Sequence, residues 1–349
     1  MSKESEKISG EGSRTTLSSL AKHVGLSRTT VSVVVSNSPA AAAIPKMTRD
    51  RILQAAQDLQ YRPNYLARSL RQNRTMSIGV IVPELSEGYF TLLMRGVEQH
   101  LMGAHYMYFT ASHYWQPELL TKYPRLLLER AVDGLLLLNT PVPEDIPLPI
   151  VSVSSHKTVK GVTNIILDHK KGVFLALKHL KQLKHKRISF MRGQNFSLDT
   201  DERWNAILQA ARELSIKVDP ELCIQLENNT WSPELGYEPV RALLRRRSDF
   251  TAIFCFNDTS AFGAMRAIHD SGYRVPEDVS VIGFDDVIGA EFTMPSLTTV
   301  RQPLSEMGNL AAKLLLHRID HPRATYKAQV MVEPDLIIRE STCKAKSRP

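Results

Sequence analysis

Cysteine is scarce in this 349-residue chain: there are three, at positions 223, 255 and 343, and no Cys-x-x-Cys pair. A disulfide framework and a structural zinc site are therefore excluded, and a reducing cytoplasm fits best. Long apolar runs are missing as well. Stretches such as Ile78–Val82 and Gly134–Leu138 fall far short of the ~18–20 residues that span a bilayer, so no membrane role is expected. Met1–Arg14 is polar and charged, without the apolar segment of a secretory signal, and reads as a disordered lead-in. Also absent are a P-loop, Gly-x-Gly-x-x-Gly, Gly-x-Ser-x-Gly and His-Glu-x-x-His. The eleven histidines are scattered, and His105 and His179 read as surface or hydrogen-bonded residues rather than ligands. No cofactor or metal is expected.

Charge is present but unevenly placed. Residues 1–76 carry 12 basic and 5 acidic side chains, whereas the remainder carries 32 and 31, so nearly all of the +8 net charge sits in one fifth of the chain. That pattern points to a polyanion-binding head on an electrically neutral body.

Within the head, Leu17, Leu20, Ala21 and Val24 recur at helical spacing, and Gly25 ends that helix. Ser27 caps a second helix whose stripe includes Val31, Val34 and Val35. Two amphipathic helices joined by so short a glycine-containing turn form a helix-turn-helix pattern. Thr48 is positioned to cap a third helix, Arg49–Leu59, after a loop over Ser36–Lys46. Asn64–Arg71 has helical spacing but is too short to be stable without a partner surface. From Ser77 onward, short apolar runs alternate with helical stretches of 12–16 residues. The helices include Tyr89–Met102, Pro117–Glu129, Lys170–Leu183 and Asp201–Leu214. This rhythm implies parallel sheets with helices on both faces, and its length implies two doubly wound lobes with a crevice at their strand carboxyl ends.

The head segments Thr16–Ser32 (TLSSLAKHVGLSRTTVS) and Tyr61–Leu70 (YRPNYLARSL) resemble the lactose/galactose repressor family of bacterial transcriptional regulators. The body continues the resemblance through Ile78–Pro83, Val132–Leu136, Phe256–Ile268, Val275–Asp286 and Leu297–Pro303, covering about residues 15–340 in matching order. The resemblance implies a small all-α helix-turn-helix head plus an α/β body of two doubly wound parallel-sheet lobes of periplasmic-binding-protein type. Expected boundaries are 15–62 for the head, 63–76 for a hinge helix and linker, 77–340 for the body, and 341–349 for a tail. Lobe one is expected at about 77–165 and 294–325, and lobe two at about 166–293 and 326–340, with crossings near 165, 293 and 325.

By the same resemblance, Arg28, Thr29 and Val33 would read bases in the major groove. Thr16, Ser27, Thr30, Ser32 and Thr48 would contact phosphates, although Ser27 and Thr48 serve equally as helix caps. Val33 stands where the lactose repressor has arginine, so a relative's half-site cannot be copied. Ala67 and Leu70 of the hinge would enter the minor groove. Effector binding would fall to Arg203, Asn257 and Asp285, with Trp231 stacking on a ring and Phe90, Asn139, Phe284 and Gln302 contributing from both lobes. Asp258 reads as a turn or cap residue. Ser154 and Asp199 depart from the lactose repressor at sugar-contacting positions, which points to a different ligand, with a sugar or sugar derivative the leading class.

The resulting expectation is a non-enzymatic, effector-controlled repressor that binds palindromic double-stranded operator DNA as a homodimer through Leu93, Val97, Leu101 and Phe262, with packing inside the chain an equally good reading for at least half of those four. Alternatives are a sugar-binding receptor without a regulatory role and a sugar-metabolising enzyme. No leucine heptads follow Glu340, so a tetramer of the lactose-repressor kind is not expected.

Overall fold

A computed structural model describes residues 15–36, 38–62, 74–85, 88–143, 145–227 and 232–346. The lead-in, Ala67, Leu70, the rest of the hinge over 63–73, and Trp231 lie outside the described residues. The chain divides into two compact units, Met1–Thr75 and Met76–Pro349.

In the first unit, helix α1 (Leu17–Val24) begins at Thr16, whose hydroxyl accepts from Ser19 N in a reciprocal capping box. It ends at Gly25, where φ is 65°, the left-handed conformation that favours glycine. Helix α2 (Arg28–Val35) is capped by Ser27, which accepts from Thr30 N. Helix α3 spans Lys46–Asp58 and starts three residues earlier than the expected Arg49. Pro45 lacks an N–H and stands at the cap position, so Thr48 falls inside the first turn. The expected loop before it contains a 3-10 turn over Pro39–Ala43. Leu20, Val31 and Ile52, one from each helix, are fully buried at the centre of this unit.

The second unit has two lobes. Lobe one contains strands β1 (Ser77–Val82), β2 (Met107–Ser112), β3 (Gly134–Leu138), β4 (Ile150–Val153), β5 (Thr163–Leu167) and β11 (Gln329–Val332). They form one parallel sheet in the order β11-β5-β4-β3-β1-β2. Successive strand residues serve opposite faces: Leu136 and Leu138 pack with helices α4 (Gly88–Gly103) and α11 (Leu304–Asp320), while Leu135 and Leu137 pack with Leu127 of α5 (Pro117–Glu129).

Lobe two contains β6 (Ile188–Arg192), β7 (Cys223–Gln225), β8 (Ala252–Phe254), β9 (Ser280–Asp285), β10 (Thr298–Arg301) and β12 (Asp335–Ile337), in the order β12-β10-β9-β8-β6-β7. Only the β10–β12 pair is antiparallel in this sheet. Its helices are α6 (His169–Gln182), α7 (Asp199–Glu213), α8 (Glu234–Arg246), α9 (Asp258–Asp270) and the short α10 (Gly289–Phe292).

Chain crossings differ from the expected positions. They fall between β5 and α6, between β10 and α11, and between β11 and β12, so the crossings expected near 293 and 325 lie close to 302 and 333. β10 continues the lobe-two sheet beside β9, and β11 must complete the lobe-one sheet beside β5 before the chain returns. Nor is the segment after residue 340 a free tail. Ser341 is buried and exchanges hydrogen bonds with Val281, and Ala345 N donates to Leu183 O.

The expected dimer residues Leu93, Val97 and Leu101 are fully buried inside lobe one, packed with Met307, Ala311 and Leu315 of α11. α4 packs side by side with α11 against one face of the sheet, so its apolar stripe is consumed within one chain. Phe262 is half-buried against the lobe-two core.

At the end of β2, His113 is buried, and its ring occupies a fixed neutral tautomer. Nδ1 accepts from Trp115 N at 3.0 Å, which leaves Nε2 to donate to Thr140 Oγ1 at 3.1 Å. Burial pushes this imidazole down to about 4. The unfolded chain takes up a proton here near 6.5 and the folded chain does not, so this contribution to stability is complete above pH 6.5 and is lost as pH falls toward 4. His113→Gln is expected to destabilise the body at pH 7, with a difference from wild type that shrinks by on the order of 2 kcal/mol or less by pH 4.5. Urea midpoints at the two pH values check this; a pH-independent difference would reject it.

Candidate functional site

On the head, Arg28 and Thr29 are the first two residues of α2 and both are exposed. Val33, one turn on, is half-buried. Thr16 and Ser27 are exposed at the starts of α1 and α2, where unpaired backbone N–H groups favour anions. Thr30 is half-buried, and its hydroxyl lies 2.8 Å from that of Ser27. Ser32 is buried on the α2 face that turns to the core beside Val31. Thr48 is half-buried within α3.

Both body sheets change direction between their first and third strands, and in such folds ligands settle where strand carboxyl ends meet that reversal. A cavity lies there between the lobes. Tyr89, Phe90 and Asn139 line it from lobe one; Ser197, Asp199, Arg203, Phe256, Asn257 and Asp285 line it from lobe two. Five of the expected effector residues, Phe90, Asn139, Arg203, Asn257 and Asp285, thus come together. Phe284 and Gln302 stand one layer behind: Phe284 supports Arg203, and Gln302 Nε2 donates to Asp285 Oδ1 at 2.6 Å. About 320 Å³ of space is free of atoms here, but the centre of a water molecule fits in only about 20 Å³ of it. That is room for about one water. The cleft is closed on itself, and a drug- or sugar-sized ligand enters only if the lobes part.

Arg203 is buried on the first turn of α7. Its guanidinium carbon stands 3.8 Å from the Phe284 ring centroid and 4.5 Å from that of Phe256, and Nη1 donates to Phe256 O. Its Nε–H has no hydrogen-bond partner. Burial pushes the Asp285 carboxyl up to about 7, although Arg203 and the Gln302 amide pull it down. Asp285 and Asp286 diverge as adjacent residues at a strand end do: Asp286 pairs with Arg301 at 2.6 Å and Arg339 at 2.7 Å. Asn257 caps α9, accepting from Ser260 N at 2.9 Å, while its side chain also lines the cavity. Asp258 is structural: it accepts from Thr299 Oγ1 at 2.5 Å and from Val287 N at 2.8 Å.

Sequence reasoning missed Tyr89, His156 and His169, and noted Ser154 and Asp199 only as departures from the lactose repressor. Tyr89 Oη lies 3.2 Å from Ser154 Oγ, and burial raises the phenol far above its ordinary range. Asp199, on lobe two, is buried and bonded to two groups of lobe one, with His156 Nε2 at 2.6 Å and Asn139 Nδ2 at 3.2 Å. Burial alone would raise its carboxyl, but the bond from His156 and the nearby His169 imidazole outweigh that and hold it well below the usual range. Asn139, Ser154 and His156 all adopt positive φ, so the lobe-one strand ends carry backbone strain where they face lobe two.

Residues 16–64 match the family described as bacterial regulatory proteins, lacI family, and residues 177–342 match the periplasmic binding protein-like domain. The HTH-type transcriptional repressor PurR of Haemophilus influenzae is 34% identical over 338 residues, covering 93% of this chain and 98% of that protein. Among solved structures, the lac repressor dimer bound to operator and the anti-inducer ONPF superposes with a TM-score of 0.82 at 25% identity, covering 95% of this chain and 99% of that one. A LacI family regulator from Enterococcus faecium with bound ribose superposes at 0.69 and 29% identity, covering 77% and 100%. The helix-turn-helix head, the two-lobed body with its closed polar cleft, and a match along nearly the whole length agree: the chain belongs to the LacI family of bacterial transcriptional regulators, as a DNA-binding repressor with an effector-binding body.

Proposed function

We propose that this regulator binds a sugar or sugar derivative between its lobes, and that occupancy of the cleft sets the affinity of a homodimer for palindromic operator DNA in the bacterial cytoplasm. The observation that carries the reading is the presence of Arg203 and Asp285 together in a cleft that also offers the amides of Asn139 and Asn257. Fork donors, a carboxylate and two amides around aromatic walls suit vicinal hydroxyls. Two buried groups at the cleft, Arg203 Nε and Asn139 Oδ1, lack partners and would gain them from a bound polyhydroxy ligand. The bound ribose of the Enterococcus relative supports the same class.

Closure about three crossings makes a two-state body, and a ligand shifts it only through differential affinity for the open and closed forms. Taking the population from 1:99 to 99:1 needs ~10⁴-fold, about 5.5 kcal/mol. Thermal shifts of the full chain against monosaccharides, disaccharides, sugar phosphates, polyols and nucleobases test the class. Ligand at 100 times its Kd stabilises by ~2.7 kcal/mol, so a sugar hit is expected; a hit confined to nucleobases rejects the sugar reading.

On the DNA side, Arg28 and Thr29 are proposed to read bases, with Val33 contacting a thymine methyl and Thr16, Ser27 and Thr30 holding phosphates. Arg28→Ala is expected to cost ~1–3 kcal/mol at the operator and to relax one base pair, read by fluorescence anisotropy on single-substituted operators. Equal weakening on every sequence would make Arg28 a phosphate contact instead.

The dimer needs faces other than the buried α4 stripe. Met107 and Phe109 are exposed on β2, an edge strand, and Ile288, Phe292 and Met294 are exposed around α10. Edge strands and exposed apolar clusters are features that proteins normally cover. The double variant Phe109→Glu/Phe292→Glu is expected to sediment as monomer and lose operator affinity; an intact dimer would place the interface elsewhere.

A further inference from the structure

Next to the cavity, three side chains that are far apart in sequence converge on the seam between the lobes. His156 follows β4 of lobe one, whereas His169 opens α6 and Asp199 opens α7 of lobe two. One ligand-capable atom from each lies within 4.8 Å of the other two. Asp199 Oδ1 is 2.6 Å from His156 Nε2 and 3.3 Å from His169 Nε2. Asn139 Nδ2 donates to the other oxygen, Oδ2, which turns Oδ1 toward the imidazoles. His169 is only 6% exposed, yet neither ring nitrogen has an aligned hydrogen bond. Packing does not account for so deeply buried an imidazole with two unmet nitrogens.

We propose that His156, His169 and Asp199 bind a divalent transition-metal ion, of the zinc or cobalt kind, that ties lobe one to lobe two. Two imidazoles and one carboxylate suit these borderline ions rather than magnesium or calcium, which prefer all-oxygen shells. Ligands at about 2.0–2.2 Å around a tetrahedral ion stand roughly 3.3 Å apart, which is the His169–Asp199 separation. The His156–Asp199 contact lengthens when the ion replaces the shared proton. Asn139 is the outer-shell group that orients the carboxylate. Arg203 is the charge opposing the ion, and Asp199 and Asp285 offset it. Because Asp199 also lines the cavity, the fourth coordination position opens toward the ligand space. The regulatory consequence rests on the effector reading above: an ion bridging the lobes favours the closed body and so changes operator affinity.

The test is Co²⁺ titration of the chelator-stripped, full-length protein, followed by visible absorption and displacement with Zn²⁺. A d–d band of four- or five-coordinate Co²⁺ at one equivalent is expected, and it should vanish in His156→Gln, the more exposed of the two imidazoles at 13%, and in His169→Gln. The exposed, stacked pair His317 and His321, with ring centroids 4.3 Å apart, is a competing surface site, so His317→Gln/His321→Gln must keep the band. Circular dichroism confirms that each variant is folded, and His156→Gln alone decides if His169→Gln is not. No band, or a band that survives both cleft variants, overturns the site. Operator affinity is measured in parallel, with a Zn²⁺-dependent change of five-fold or more expected in wild type and none in His156→Gln; an unchanged affinity overturns the regulatory role while the site stands. A Co²⁺ band with no sugar hit in the thermal panel leaves the metal site standing and removes the sugar reading.

Discussion

Arg203→Ala is expected to abolish the response to effector while leaving ligand-free operator binding by the head intact. The guanidinium is held between two aromatic faces and by a carbonyl, so its place is set before any ligand arrives. Its removal takes away a fork of donors and also changes Asp285. That carboxyl already titrates near neutrality because burial raises it and Arg203 lowers it. Without the cation it rises further and stays protonated at pH 7, so the cleft loses an anionic acceptor together with its donors. Affinity for the ligand found in the thermal panel should fall at least 100-fold, about 2.8 kcal/mol. Stability should fall by ~2–4 kcal/mol, somewhat below the usual loss on breaking a buried pair, because Asp285 can take up a proton. Arg203→Lys should recover part of the stability but little of the affinity, since an ammonium cannot reproduce the planar fork. Ligand shifts and operator titrations on the three proteins check this. An Arg203→Ala protein that keeps its effector affinity would move the site elsewhere.

Gly96→Ala or Gly308→Ala is expected to destabilise lobe one by about 3 kcal/mol or more, a large share of the ~5–15 kcal/mol typical of a folded domain. The α4 and α11 helices approach so closely that a Cβ on Gly96 would stand 1.8 Å from Ser305 O, and one on Gly308 2.0 Å from Leu93 O. Those are backbone oxygens inside regular helices and cannot rotate aside. The helices would have to separate, exposing the joint between Leu93, Val97, Met307 and Ala311. Alanine's better helix propensity returns only ~1 kcal/mol. Lobe two is built the same way, with Gly236 and Gly263 each meeting a backbone oxygen of the partner helix at 1.9 and 1.8 Å. Gly103→Ala is the control: a Cβ there meets nothing within 4 Å, so its urea midpoint should be unchanged or slightly raised. Equal midpoints for Gly96→Ala and Gly103→Ala would refute the close-packing argument.

The helix-turn-helix was legible because its signals are local: a capping threonine and serine, a left-handed glycine and one apolar stripe per helix all act within a few residues of chain. The alternation of strands and helices was legible for the same reason. Arg203, Asn257 and Asp285 were found through their matching motifs, and the cavity gathers them. The α4 stripe was misplaced because an apolar helix face reads identically whether it meets a second copy or another helix of its own chain. Only the position of α11, more than 200 residues later, settles which. Thr48 failed as a helix cap on a smaller ground: a proline set the helix start ahead of it.

Periodicity, capping chemistry and charge asymmetry are properties of neighbouring residues, and they sufficed to specify the head and the doubly wound lobes, while the family followed from the resemblance of its motifs. The exchange of β10, β11 and β12 between sheets, the closed cleft, and the meeting of His156, His169 and Asp199 depended on tertiary structure alone. These features join residues tens to hundreds of positions apart, and the free energy that places them there comes from burying both sheet faces at once. No local signal in the chain records that term.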